Sequence, residues 1–241
     1  MEWFEAIDQL KPYVVRISTP SGSGTGWLVS RSTTSSLCAI ATAGHVIDHA
    51  HYWEEPIRLH HTQSGQSVVL RAPDRSIHLE SQLDSAGLIF DCTTLPLPDL
   101  PIELVPKDKF VVPGVEIGWL GFPAIPRADL CFFSGRISAF IEADSAYMVD
   151  GVAINGVSGG PAFNINGGEL RLLGIVSAYI PNRATGDALP GVAVVRDATQ
   201  FHDLTERFRD FDDAKKQESP PANAAPSEVT EGEPPIKTLH K

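Results

Sequence analysis

From Tyr13 onward the apolar positions fall in short runs rich in β-branched and aromatic residues, at 13–17, 26–29, 38–42, 67–71 and 88–90. A second set follows at 115–120, 131–139, 146–149, 161–164, 170–178 and 191–195. Gly, Pro, Ser and Asp clusters punctuate both sets, which predicts antiparallel strands in barrels or sandwiches rather than parallel α/β units. Between the sets, 93–112 is rich in proline and acid, with Pro96, Pro98, Pro101 and Pro106, and reads as a connection between two β-units.

The helical period appears only near the two ends. Trp3, Ile7 and Leu10 share one helical face before Pro12 stops the helix. Asp197 and Gln200 have capping-box spacing for a helix over 197–211, whose stripe of Phe201, Leu204, Phe208 and Phe211 is expected to pack on the second β-unit. After Asp212 the residues turn to Pro, Ala, Glu, Ser and Lys, and only Val229, Ile236 and Leu239 remain as sizeable apolar side chains of the last stretch. Such a segment has too little to bury, so disorder is expected there.

Charge narrows the partners. A net charge of -11, with basic residues scattered, repels phosphate backbones and anionic lipid surfaces, so neither nucleic acid nor membrane is expected as a partner. Met1-Glu2-Trp3-Phe4-Glu5 lacks the basic and apolar regions of a signal peptide, and no apolar run approaches membrane-spanning length, which points to a cytoplasmic location. Cys38, Cys92 and Cys131 are odd in number and form no Cys-x-x-Cys, so buried free thiols are expected.

The chemistry concentrates in three places. Asn155-Gly156-Val157-Ser158-Gly159-Gly160-Pro161 encloses a serine in glycines directly before a strand. A hydroxyl becomes a useful nucleophile when a base takes its proton, and the oxyanion it creates needs preorganised donors, here the amides of Gly156 and Ser158. Ala41-Thr42-Ala43-Gly44-His45 ends an apolar strand on a histidine suited to be that base. Leu83-Asp84-Ser85-Ala86-Gly87-Leu88 sets a carboxylate before an inward strand, suited to orient the imidazole.

The order His, Asp, Ser in Thr-Ala-Gly-His, Asp-x-Ala-x-Leu and Gly-x-Ser-Gly-Gly-Pro resembles the trypsin/chymotrypsin family over roughly 12–210. Gly22 to Val29, Gly121-Phe122-Pro123 and Gly174-Ile175-Val176-Ser177 extend the likeness, which looks closest to bacterial HtrA-like peptidase domains. The resemblance implies an all-β fold of two packed six-stranded antiparallel barrels and a serine endopeptidase without a cofactor, acting on protein or peptide and open to a regulatory partner protein. It divides the chain into an N-terminal helix (1–11), a first barrel with His45 and Asp84 (12–98), a linker (99–113), a second barrel with Ser158 (114–196), a helix (197–211) and a tail (212–241). It also gives Ser177 a hydrogen bond to Asp84, and it puts the substrate pocket at Val152, Val176, Ser177, Ala178, Tyr179 and Gly191. An uncharged floor at Val152 implies cleavage after small or medium apolar residues; a floor at Asp150 would favour basic ones.

The chain departs from the family at Val157, where zymogen-activated relatives carry an aspartate, and at Val46, where extracellular relatives carry a disulfide cysteine. No PDZ-like domain is expected after Arg196. His45 and His49, with His51, His60 and His61 nearby, offer a metal-site alternative, but the glutamate of a His-Glu-x-x-His motif is missing. A rival from the binding class is an inert pseudo-peptidase presenting a peptide groove.

Overall fold

Runs of buried residues, most of them apolar, carry residues 14–91 through one antiparallel sheet in the computed structural model, which describes residues 1–181 and 188–218. Its strands are β1 (Val14–Thr19), β2 (Gly22–Arg31), β3 (Leu37–Ala43), β4 (Ile57–His61), β5 (Gln66–Leu70), β6 (Arg75–Glu80) and β7 (Ser85–Asp91), in the order β5-β4-β1-β2-β3-β7-β6. A helix, α1 (Trp3–Leu10), precedes the sheet, and α2 (Gly44–Tyr52) leaves the end of β3.

The second unit is a closed six-stranded barrel. It contains β8 (Glu116–Gly121), β9 (Cys131–Ile141), β10 (Ala146–Asp150), β11 (Pro161–Asn166), β12 (Glu169–Pro181) and β13 (Ala188–Asp197), in the order β10-β13-β12-β11-β8-β9. The chymotrypsin-like fold expected from the sequence is present. Its first unit, however, has seven strands and stays open as a half-barrel, where a closed six-stranded barrel was expected. The edges β5 and β6 are joined by a single tight turn (Ala72–Asp74), and the Arg75 guanidinium donates to the carbonyls of Leu70 (2.7 Å), Ala50 (2.9 Å) and Glu55 (2.7 Å). A side chain therefore ties the start of β6 to the end of β5, to the last turn of α2 and to the loop after it through their carbonyls.

The two terminal helices each reach across the molecule. Trp3 of α1 packs on Phe132 and Phe163 of the second unit, with ring centroids 5.4 and 5.7 Å away. The C-terminal helix α3 (Thr199–Glu218) begins where the Asp197 carboxylate accepts from the Thr199 amide at 2.9 Å. Contrary to the sequence expectation, its stripe of Phe201, Leu204 and Phe208 joins the core of the first unit. Two features draw it there: Phe201 meets Trp27 edge-on at 5.9 Å, and Leu204 fills the space left by Gly87, where even a Cβ would come within 2.6 Å of it.

The helix also runs on past residue 211 to Glu218, so residues 212–218, expected in a disordered tail, are helical; residues 219–241 lie outside the described residues. The cause is Asp212, which is buried and accepts from Ser32 Oγ (2.5 Å), Thr33 N (2.7 Å), Thr33 Oγ1 (2.8 Å) and Thr34 Oγ1 (2.8 Å). Burial alone would raise its carboxyl pKa, but these donors hold it far below the usual range. A carboxylate with a depressed folded pKa stabilises above its unfolded value of about 4, and that contribution is lost as the pH falls through and below it. Asp212→Ala should destabilise the fold by about 3 kcal/mol at neutral pH, read as a lower urea midpoint, and the deficit should shrink toward acid.

Candidate active site

Apolar β3 ends in the small residues Thr42 and Ala43, which let α2 start at Gly44 and put His45 in its first turn. Asp84 follows a one-turn helix (Ser81–Leu83) in the left-handed conformation at φ 47°, a region that Asp tolerates better than most residues. That turn aims its carboxylate at the start of α2. Asp84 Oδ1 accepts from the His45 amide at 2.9 Å, one of the amides a helix start leaves without an intrahelical partner. Both carboxylate oxygens also lie against His45 Nδ1, at 3.0 and 2.9 Å.

Ser177, buried in β12, donates its hydroxyl to Asp84 Oδ2 at 2.5 Å. Burial of the carboxyl would raise its pKa, but the hydrogen bonds from His45 and Ser177 hold it below the ordinary value. Asp84 in turn raises the pKa of His45, chiefly through their hydrogen bond and against the effect of burial. The imidazole remains accessible, with 49% of its side chain exposed against 23% for Asp84.

Ser158 arrives from the other unit, in the turn leading to β11. Gly156 adopts φ 90° and Gly159 φ 83°, conformations that L side chains rarely enter. A Cβ at Gly156 would strike the Phe122 carbonyl, and one at Gly159 would strike Thr25 O and Thr42 Oγ1. Within this turn the amides of Val157 (to Ile154 O, 3.1 Å), Gly159 (to Val176 O, 2.6 Å) and Gly160 (to Val157 O, 2.9 Å) are spent on the protein. Those of Gly156 and Ser158 donate to no acceptor among the described residues, the pair that the sequence assigned to an oxyanion. The Ser158 hydroxyl itself donates to the Ser177 carbonyl at 3.3 Å, and among the described residues it makes no hydrogen bond to His45.

The sequence reading missed what joins the units here. Buried Thr25 donates Oγ1 to Gly156 O at 2.8 Å, accepts from the Phe122 amide at 3.0 Å, and gives its own amide to Ser158 O at 2.8 Å. Thr42 Oγ1 then donates to Thr25 O at 2.7 Å. The only signal in the sequence was a threonine between two glycines, Gly24 and Gly26, just before the apolar run Trp27-Leu28-Val29.

Of the expected pocket residues, Val176 and Ser177 are buried in β12, while Val152 is 50% exposed just beyond β10. Asp150 Oδ1 lies 4.0 Å from where a side chain at Gly191 would begin, and the Gly151 amide donates to Gly191 O at 2.9 Å. The backbones of Ala178 and Tyr179 pair with Val194 and Ala193, and their side chains lie outside what the structure describes. The remaining histidines go their own ways: His49 Nδ1 pairs with Glu55, His60 Nδ1 with Ser67, and His61 bridges Ser64 and Pro12 O. Among the described residues no three His, Cys, Asp or Glu side chains are grouped to hold a metal. No helix among them is long and apolar enough to cross a membrane.

Residues 24–175 match a family model described as a trypsin-like peptidase domain. No curated protein matches the chain. Among solved structures, a serine endoprotease from Yersinia pestis aligns with a TM-score of 0.62 at 21% identity, over 88% of this chain and 68% of that one. An inactive form of Rv3671c from M. tuberculosis aligns with a TM-score of 0.58 at 18% identity, over 85% of this chain and 90% of the other. At these identities the structural likeness concerns the fold.

Proposed function

Because the chain belongs to the family of trypsin-like peptidase domains and is a serine-type endopeptidase, we propose that it cleaves peptide bonds through an acyl-enzyme on Ser158, with His45 as general base and Asp84 orienting it. The observation that carries this reading is the Asp84 carboxylate, held by Ser177 and both the ring and the backbone of His45. With Nδ1–H committed to Asp84, the lone pair of the neutral ring sits on Nε2, the atom that must take the serine proton. The serine oxygen then attacks the scissile carbonyl, and the uncommitted amides of Gly156 and Ser158 receive the oxyanion. His45 returns the proton to the leaving amine, and water attack repeats the sequence to release the acid.

For this to happen the Ser158 hydroxyl must turn from the Ser177 carbonyl to the imidazole. Hydrogen bonds of this kind are often loose before substrate binds. The same observation favours the second reading, an inert peptidase fold whose groove binds peptide. A fluorophosphonate probe separates the two. Covalent labelling of the native chain, abolished by Ser158→Ala, is expected; no labelling of the folded chain supports the binding module.

For specificity we propose small or medium apolar residues at the cleaved position, on an uncharged Val152 to Val176 surface. A peptide library offering Val, Leu and Arg there should favour the first two. Strong preference for Arg would instead assign the pocket charge to Asp150, which stands beside Gly191. A cytoplasmic setting belongs to the same proposal, supported by three cysteines that are all free.

A further inference from the structure

A cavity of about 670 Å³ opens at the end of the second barrel away from Ser158, between the 105–115 connection and the turn joining β11 to β12. Its size is that of a ligand pocket, commonly about 300–1,000 Å³. It exists because a ladder stops short. β11 pairs with β8 only at Ala162 and Phe163, so Asn164, Ile165 and Asn166 share the cavity wall with the irregular chain at Val111 and Val112.

Asn164 is only 7% exposed and lines this cavity, and its side-chain carbonyl has no hydrogen-bond partner among the described residues. A buried acceptor left unmet is unfavourable, and a turn of the Asn164 amide that brings its oxygen to a ligand N–H in the cavity would remove the penalty. Arg171 stands opposite Asn164 in the β11–β12 ladder, hence on the same face, and is already held by Glu103 and Glu169. Lys109, also in the lining, has no ion pair among the described residues, in a chain whose net charge is -11. Phe110 and Val112 add apolar surface that stands exposed at the same place.

An unmet acceptor in a half-laddered strand, apolar surface and a lone ammonium are together what a stretch of polypeptide satisfies, through main-chain N–H, apolar side chains and a carboxylate. We propose that this cavity is a docking site for an extended peptide segment bearing apolar residues and carboxylates, distinct from the catalytic cleft. β11 runs from Pro161, beside the Ser158 turn, to Asn166 in the cavity wall, about 16 Å at about 3.3 Å per residue, so one protein substrate can occupy both places. That use rests on the peptidase reading above; the binding does not.

The test uses the whole chain carrying Ser158→Ala, so that no probe is hydrolysed, with fluorescence anisotropy of a fluorescein-labelled octapeptide of alternating valine and glutamate. A valine–lysine octapeptide is the control. The acidic peptide should bind saturably and at least about tenfold tighter than the basic one, Lys109→Glu should reverse that order, and Asn164→Leu should weaken the acidic peptide about tenfold. Circular dichroism checks that the Asn164 variant folds; if it does not, exposed Lys109→Glu decides alone. Absence of saturable binding, or binding indifferent to these substitutions, overturns the docking site. Fluorophosphonate labelling of the same substitutions in the Ser158 chain reports on catalysis separately, so either proposal can fail while the other stands.

Discussion

His45→Ala should lower kcat for a cleavable peptide by about 10⁴-fold to 10⁶-fold while leaving the urea midpoint nearly unchanged. Both halves of that expectation come from the same geometry. The ring is half exposed and makes its hydrogen bonds at the edge of the molecule, so deleting it opens no cavity in the core. Without an acceptor at Nε2, however, the serine proton has nowhere to go in the attack step, and the leaving amine has no donor. Groups that act as a unit are not additive, so the double variant with Ser158→Ala should be no slower than either single one. A loss of only a fewfold would remove His45 from the base role and leave the glycine-framed serine without activation.

The parts of this site that could be read in the sequence are those whose chemistry leaves a local mark. Ser158 is framed by glycines because the backbone there must take positive φ against packed neighbours, and glycine is visible in a string of letters. His45 and Asp84 were legible because each sits where an apolar strand begins or ends. Thr25 and Thr42 were not: their importance lies in hydrogen bonds to Gly156 and to each other across long sequence separations, and a buried threonine in a strand looks like any β-branched residue. Strands β4 and β6 were missed as well, β4 for a related reason. Ile57, Leu59 and His61 point inward in true alternation, but the third inward position is a histidine satisfied by Ser64 and Pro12 O, so the apolar period breaks there. The course of α3 depends on Gly87 and Asp212 finding partners more than a hundred residues away along the chain, which no local pattern encodes.

Asp84→Asn should separate orientation from base strength, because it preserves shape while changing what the side chain can accept. The native carboxylate takes hydrogen bonds from the His45 amide, from His45 Nδ1 and from the Ser177 hydroxyl. An asparagine presents one carbonyl and one NH₂, so a donor meets another donor unless the Ser177 hydroxyl turns to accept or the ring changes tautomer. The favoured rearrangement puts the ring proton on Nε2, where the serine proton must go, and kcat near neutral pH should fall by about 10⁴-fold. The pH profile gives an independent reading. In the native protein the His45 pKa is raised by the Asp84 hydrogen bond, so kcat/KM should climb along an acidic limb centred above the ordinary imidazole value of about 6.5. In the Asn variant that limb should move to lower pH. Stability runs the other way: the extra proton affinity of the native imidazole favours the fold below its unfolded pKa, and that contribution disappears as the pH rises through the folded value. Activity and this part of stability should therefore cross over the same pH interval with opposite slopes, and Asp84→Asn should shift the activity limb and remove the stability contribution. An acidic limb left unmoved by the substitution would mean that the group titrating in kcat/KM is not the histidine held by Asp84.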